Sequence, residues 1–212
     1  MMELPLDIII VIINFLSFDD LIKLMKLFNH KIFEACKYYR KINIGLKYRY
    51  SRNLNILRYF YHPKELIIKN GSFSKNYICY IAIKNNWQLE KLIFNNIRNI
   101  DSLFIYDLLV SQKKLQTLEL YLCNTLKQKH LLAINDNIKN LSLRNNLFNF
   151  QDIKCLTRLK KLQKLDLSYS RYLFDTNLNE LTFDNLEILY LSNTQLTLDE
   201  RFFIFVAKLE KL

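Results

Sequence analysis

The side chains best suited to chemistry in this 212-residue chain are four cysteines and three histidines, and their spacing suits none of it. Cys36, Cys79, Cys123 and Cys155 lie 32 or more residues apart with no CxxC pair, and His30, His62 and His130 fall at no ligand spacing. Zinc sites need ligands in short pairs, and disulfide scaffolds need short, cysteine-dense secreted chains. Both are therefore disfavoured, and a reducing compartment is the simpler setting. Only two glycines occur, Gly45 and Gly71. Walker and GxGxxG loops need glycine wherever backbone closes on phosphate, so neither fits. No GxSxG, HExxH or EF-hand loop is present, and the remaining Asp, Glu and Ser are scattered. The expectation is a non-catalytic protein with no cofactor and no metal.

The elements that would position a binding surface announce themselves by repetition. LQTLELYLC (115–123), IKNLSLRNN (138–146), LQKLDLSYS (162–170) and LEILYLSNT (186–194) share L-x-x-L-x-L-x-x-(N/C/S/T). LEKLIFNNI starts at 89 and PKELIIKNG at 63, and a last fragment, LEKL, starts at 209. In L-x-L the two apolar residues point inward from a short strand while their neighbours point out. YICYIAIKNN (77–86) and LFIYDLLVSQ (103–112) repeat apolar residues three and four apart and read as helices on the outer side. No coil of about 24 residues buries its own apolar face, but stacked coils share one core. Residues 63–212 resemble the leucine-rich-repeat family, with Cys123 at the Cys position of its longer subtype. Residues 53–60 and 88–94 also admit an ankyrin-type helical reading.

The N-terminus reads LPLDIIIVIINFLSFDDLIKL (4–24), with six β-branched residues in a row from Ile8 to Ile13. A bilayer span needs about 20 apolar residues, and the acidic "MMELPLD" is no signal-peptide n-region, so no membrane segment is expected. Pro5 suits a helix start, and Ser17 with Asp20 stands at capping-box spacing before a second helix. A helix apolar nearly all round can pack on its own domain and still present a second face. The alternative is a fully internal helix capping the solenoid.

Leu4-Pro5, Asp7-Ile8, Ile12-Ile13, Phe15-Leu16 and Asp20-Leu21 resemble the F-box motif, although its usual Trp is absent and Phe33 is the nearest aromatic. An F-box ahead of leucine-rich repeats is similar to the receptor subunits of SCF-type ubiquitin ligases. That resemblance implies an Skp-type adaptor, and through it a cullin, held by Leu4, Pro5, Ile8, Ile12, Ile13, Leu16, Asp20, Leu21 and Leu24. The repeats would hold a target protein. A free-standing repeat protein, binding protein or RNA, remains the alternative. Abundant Asn, Ile, Lys and Tyr with scarce Gly points weakly to an AT-rich genome, such as a protist or a large DNA virus. The expected location is cytoplasmic or nuclear, in the host cytoplasm if viral.

Net charge is +11, and the stretch between Glu34 and Glu65 holds eight cations and no acid. Tyr38, Tyr39, Tyr48, Tyr50, Tyr59 and Tyr61 are interleaved with them. Such a stretch can track nucleic acid or grip an acidic or phosphorylated segment. A connector whose tyrosines pack while its lysines stay solvated is preferred over a nucleic-acid site.

The expected fold class is α/β: an α-helical F-box-like module over 1–42, a basic, aromatic connector over 43–62, and a right-handed solenoid with a parallel sheet over 63–212. The last holds about six repeats and a truncated seventh. On the concave sheet face the central column should be Ile67, Ile93, Glu119, Ser142, Asp166 and Tyr190, flanked by Tyr121 and Arg144. Ile67, Ile93 and Tyr190 facing water would mark a target-binding surface.

Overall fold

The computed structural model describes residues 5–27, 30–44, 57–69, 75–96, 101–123, 126–170, 180–197 and 199–212. Among them seven strands form one sheet: β1 (Lys41–Ile44), β2 (Glu65–Lys69), β3 (Lys91–Asn95), β4 (Thr117–Tyr121), β5 (Asn140–Ser142), β6 (Lys164–Asp166) and β7 (Ile188–Tyr190). Spatial order equals sequence order and every neighbouring pair is parallel. Parallel neighbours cannot be joined by a hairpin, so the chain must cross back after each strand. It does so partly through α4 (Lys75–Lys84), α5 (Ser102–Ser111), α6 (Gln128–Leu132) and α7 (Phe150–Lys154), and α8 (Glu200–Ala207) follows β7. The result is the coiled stack that the repeat predicts.

One core runs through the stack. The first, fourth and sixth residues of each unit line it, as in Leu115, Leu118 and Leu120, then Ile138, Leu141 and Leu143. Ile105, Leu108 and Leu109 of α5 close on the same cluster from the helical side. Strand β3 lies in this sheet, so residues 88–94 do not form an ankyrin-type helix, and residues 53–56 of the other candidate helix lie outside the described residues. The sheet also begins before residue 63. Tyr39, Ile42 and Ile44 occupy the three core positions of an additional coil and are buried. Residues 209–212 do not pair as a further strand: Leu209 is buried, and the Leu212 amide returns to the Leu209 carbonyl at 3.1 Å.

Helix ends follow local chemistry. Asn86, in the left-handed region at φ 49°, ends α4 with the Trp87 amide reaching the Ala82 carbonyl and the Asn86 amide reaching that of Ile83, both at 2.9 Å. That is the double hydrogen bond of a Schellman cap, made by asparagine where glycine is usual. Asn149 and Asp152 cap α7 reciprocally, each side chain accepting the other's amide at 3.0 Å.

Before the sheet come α1 (Leu6–Phe15), α2 (Phe18–Leu27) and α3 (His30–Ala35). A run of β-branched residues favours strand on propensity alone, yet it is helical here. Pro5 precedes it with φ −57°, and the Ile9 amide donates to the Pro5 carbonyl at 3.1 Å. Tertiary packing decides the rest. Leu6, Ile9, Ile10, Ile13 and Leu16, at helical spacing, turn toward the core. Ser17 caps α2, accepting the Asp20 amide at 3.2 Å. Helix α1 packs on α3 and α2 on β1, so this module covers the first coil. The Tyr39 hydroxyl donates to the Leu16 carbonyl at 3.2 Å and ties the two together.

Candidate protein-interaction site

The sheet face turned away from the helices is built by residues that alternate with the core leucines. The paired register places Ile67, Ile93, Glu119, Ser142, Asp166 and Tyr190 in one column, as the sequence predicts. Exposure along it does not follow the prediction. Ile67 and Ile93 are only 6% and 9% exposed, so they do not face water. They also lie outside the main core cluster, which fits burial on the opposite face rather than a shifted register. Tyr190 is exposed, and Glu119, Ser142 and Asp166 are half-buried. Lys91, Thr117, Glu119, Asn140, Ser142 and Lys164 line an open depression of about 300 Å³.

Turns after the strands decide what flanks this column. Asn96, Leu122, Asn145, Tyr169 and Asn193 all have φ between 52° and 63°, one per coil. Asparagine is the non-glycine residue most at ease in that region, whereas a bulky side chain there costs about 1–2 kcal/mol. The next residue turns inward. Asn146 is buried, donating to the carbonyls of Leu120 and Leu143 at 2.5 and 2.9 Å and accepting the Cys123 amide at 2.9 Å. Cys123, Ser170 and Thr194 occupy the same place in their coils.

Around Arg144 the flanking residues converge. Its guanidinium carbon lies 5.9 Å from the ring centroid of Tyr121 and 5.5 Å from that of Tyr169, within cation–π range. Its Nε is 3.6 Å from Asp166 Oδ2. Asp166 in turn accepts the Ser168 amide at 3.0 Å and the Ser142 hydroxyl at 3.5 Å. Lys164 Nζ lies 5.0 Å from the Tyr190 ring. The sequence names Tyr121, Arg144, Asp166 and Tyr190, and places Lys164 among the outward strand residues, but misses Tyr169. The signal for Tyr169 is an aromatic where three other coils have Asn.

A second surface lies on α1. Ile8, Val11, Ile12 and Phe15 are exposed, Phe15 at 87%, and their spacing makes one stripe opposite the packed face. Of the residues assigned to an adaptor, Ile8 and Ile12 belong to this stripe, Pro5 and Asp20 are exposed, and Leu16 and Leu24 are half-buried. Ile13 and Leu21 are fully buried among Met25, Cys36 and Ile42, so they cannot contact a partner directly. Leu4 lies outside the described residues. Phe15 belongs to the motif but not to the residues assigned to an adaptor, and Val11 to neither, although both complete the spacing begun by Ile8.

The basic stretch is partly structural. Phe33 and Tyr59 have ring centroids 4.7 Å apart, Tyr39 and Phe60 are 5.6 Å apart, and Arg58 stacks 4.9 Å over Tyr59. Tyr38 and Tyr61 are exposed. Lys47, Tyr48, Arg49, Tyr50 and Arg52 lie outside the described residues.

Burial pushes the Cys36 and Cys79 thiols up to about 12, and Cys155 is raised by burial too, so all three stay protonated at neutral pH. A protonated thiol is a poor nucleophile. Buried His130 lies 3.0 Å from the Ser102 carbonyl through Nε2 and accepts the Lys127 amide at 2.9 Å through Nδ1. Nδ1 thus caps the start of α6, while Nε2 faces the carbonyl and hydroxyl of Ser102 at the start of α5, so the ring ties the two helices together. Among the described residues no group of three or more His, Cys, Asp or Glu could hold a metal. No helix among them is long and apolar enough to cross a membrane.

No family model matches the sequence, and no curated protein matches it. Among solved structures, the chain is similar to an internalin (inlF) from Listeria monocytogenes, with a TM-score of 0.51 and 15% identity. The match covers 85% of this chain and 49% of that one, so the chain spans about half the length of the internalin. The functional domain of InlJ from Listeria monocytogenes, described as including a cysteine ladder, aligns at a TM-score of 0.47 and 13% identity, covering 84% and 40% of the two chains. Internalins are leucine-rich-repeat proteins, and the likeness shows that fold.

Proposed function

We propose that this leucine-rich-repeat protein is a non-catalytic substrate receptor of an SCF-type ubiquitin ligase. The N-terminal helices hold an Skp-type adaptor, and through it a cullin, while the open sheet face holds a target protein. The observation that carries this reading is the α1 stripe of Ile8, Val11, Ile12 and Phe15, exposed on a helix whose other face is already packed. Isolated surface apolars need no explanation, but four at helical spacing form a contiguous patch of the kind that marks an interface. Its position inside an F-box-like motif, directly ahead of repeats, selects the partner. The receptor acts by raising the effective concentration of target beside the ligase, in the cytoplasm or nucleus.

A free-standing repeat interaction protein is the second reading. It is favoured by the burial of Ile13 and Leu21, two positions of the motif, within the chain's own core. A nucleic-acid partner is weaker still, because Tyr39, Arg58 and Tyr59 of the basic stretch are engaged in packing. Co-expression with an Skp-type adaptor and a cullin, followed by gel filtration, separates the first two readings. Co-elution of all three chains is the expected result, and elution of this chain alone favours the second.

A further inference from the structure

We infer that Arg144 seats a single carboxylate of an acidic protein segment lying on the open sheet face. This deepens the proposed function and rests on that face being the target surface. Arg144 is half-exposed in its side chain. Its Nε faces Asp166, and among the described residues its two Nη groups make no hydrogen bond. With Tyr121 and Tyr169 on either side, the guanidinium plane is held before a partner arrives. Such a fork matches a carboxylate in geometry, and little side-chain entropy remains to be lost on binding.

Charge selects the ligand. On the open face of β3 to β7 the cations are Lys91, Arg144 and Lys164, and the anions are Glu119 and Asp166. One net positive charge remains. A nucleic-acid backbone needs several neutralising cations, and a phosphate dianion would meet Asp166 already on Nε. A lone carboxylate needs one cation rather than several, and with a single charge it meets less repulsion from Asp166 than a phosphate dianion does. Tyrosine and arginine together are also the residues that most often dominate protein interfaces.

Tyr169 supplies an independent observation. Its φ of 63° lies in the left-handed region, where the matching turns of three other coils place Asn96, Asn145 and Asn193. Strain of this kind persists where the residue has a use. Here the ring lies against Arg144, which makes Tyr169 a positioning residue for the guanidinium.

The test selects a random dodecapeptide display library in parallel on the immobilised full chain, on Arg144→Gln and on Tyr169→Asn. Expected is enrichment of peptides with one fixed Asp or Glu on the parent, and loss of that preference on Arg144→Gln without loss of melting temperature. A selected peptide should bind Tyr169→Asn about tenfold more weakly although that variant melts higher, an outcome no purely structural role produces. Equal acidic enrichment on the parent and Arg144→Gln overturns the assignment of Arg144 alone. No enriched peptide on the parent overturns the open face as a segment-binding surface, whatever the adaptor does. Tighter binding when phosphoserine replaces the fixed acid assigns the seat to phosphate instead.

Discussion

Asn146 Nδ2 donates to the carbonyl of Leu120, one coil back, at 2.5 Å, while its Oδ1 accepts the Cys123 amide at 2.9 Å. Where the strand ladder stops, these two groups would otherwise be buried without partners. Removing the amide orphans both, at about 1–3 kcal/mol each. Asn146→Ala should therefore lose at least about 2 kcal/mol in urea denaturation. A loss within a few tenths would mean that neighbouring groups replace the bonds.

Tyr169→Asn replaces a strained aromatic with the residue that three other coils use at this turn. Its stability should rise by about 1 kcal/mol, read as a higher urea midpoint at unchanged slope.

Ile93→Asp and Tyr190→Asp separate the two ends of the central column. At 9% exposure Ile93 would bury an unpaired carboxylate, so that variant should unfold several degrees earlier in a thermal melt. Tyr190 is exposed, and its variant should melt within a degree or two of the parent.

Burial moves Cys36 and Cys79 from 9.0 to about 12, and burial followed by the nearby Cys36 charge moves Tyr39 from 10.0 to about 12. The folded chain thus holds these protons where the unfolded chain releases them. Stability from this source is intact below about pH 9 and is lost as pH rises toward about 12. The urea midpoint should fall across that window, and fall less steeply in Cys79→Ala.

The repeats were legible because core position and turn chemistry recur together: Leu118 and Leu120, then Leu141 and Leu143, each followed by a residue that turns the chain. Strand β1 was not, because Tyr39, Ile42 and Ile44 carry no leucine and stand among Arg40, Lys41 and Lys47, so charge obscured the alternation. For α1 the sequence predicts an apolar helix but cannot assign its faces. Ile13 and Ile12 are adjacent and chemically alike, and only the packing of α1 on α3 decides that one is core and the other surface. Ile67 and Ile93 failed for the converse reason. Period 2 tells which face a side chain takes, but not what lies over that face.

The central claim is tested most directly by titrating the full chain with an Skp-type adaptor in a calorimeter, beside the variants Val11→Asp and Phe15→Asp. Both positions are exposed, so the variants should keep the parent's melting temperature while binding at least about tenfold more weakly. Binding by both folded variants as tight as by the parent, or no heat from the parent at all, would contradict the account.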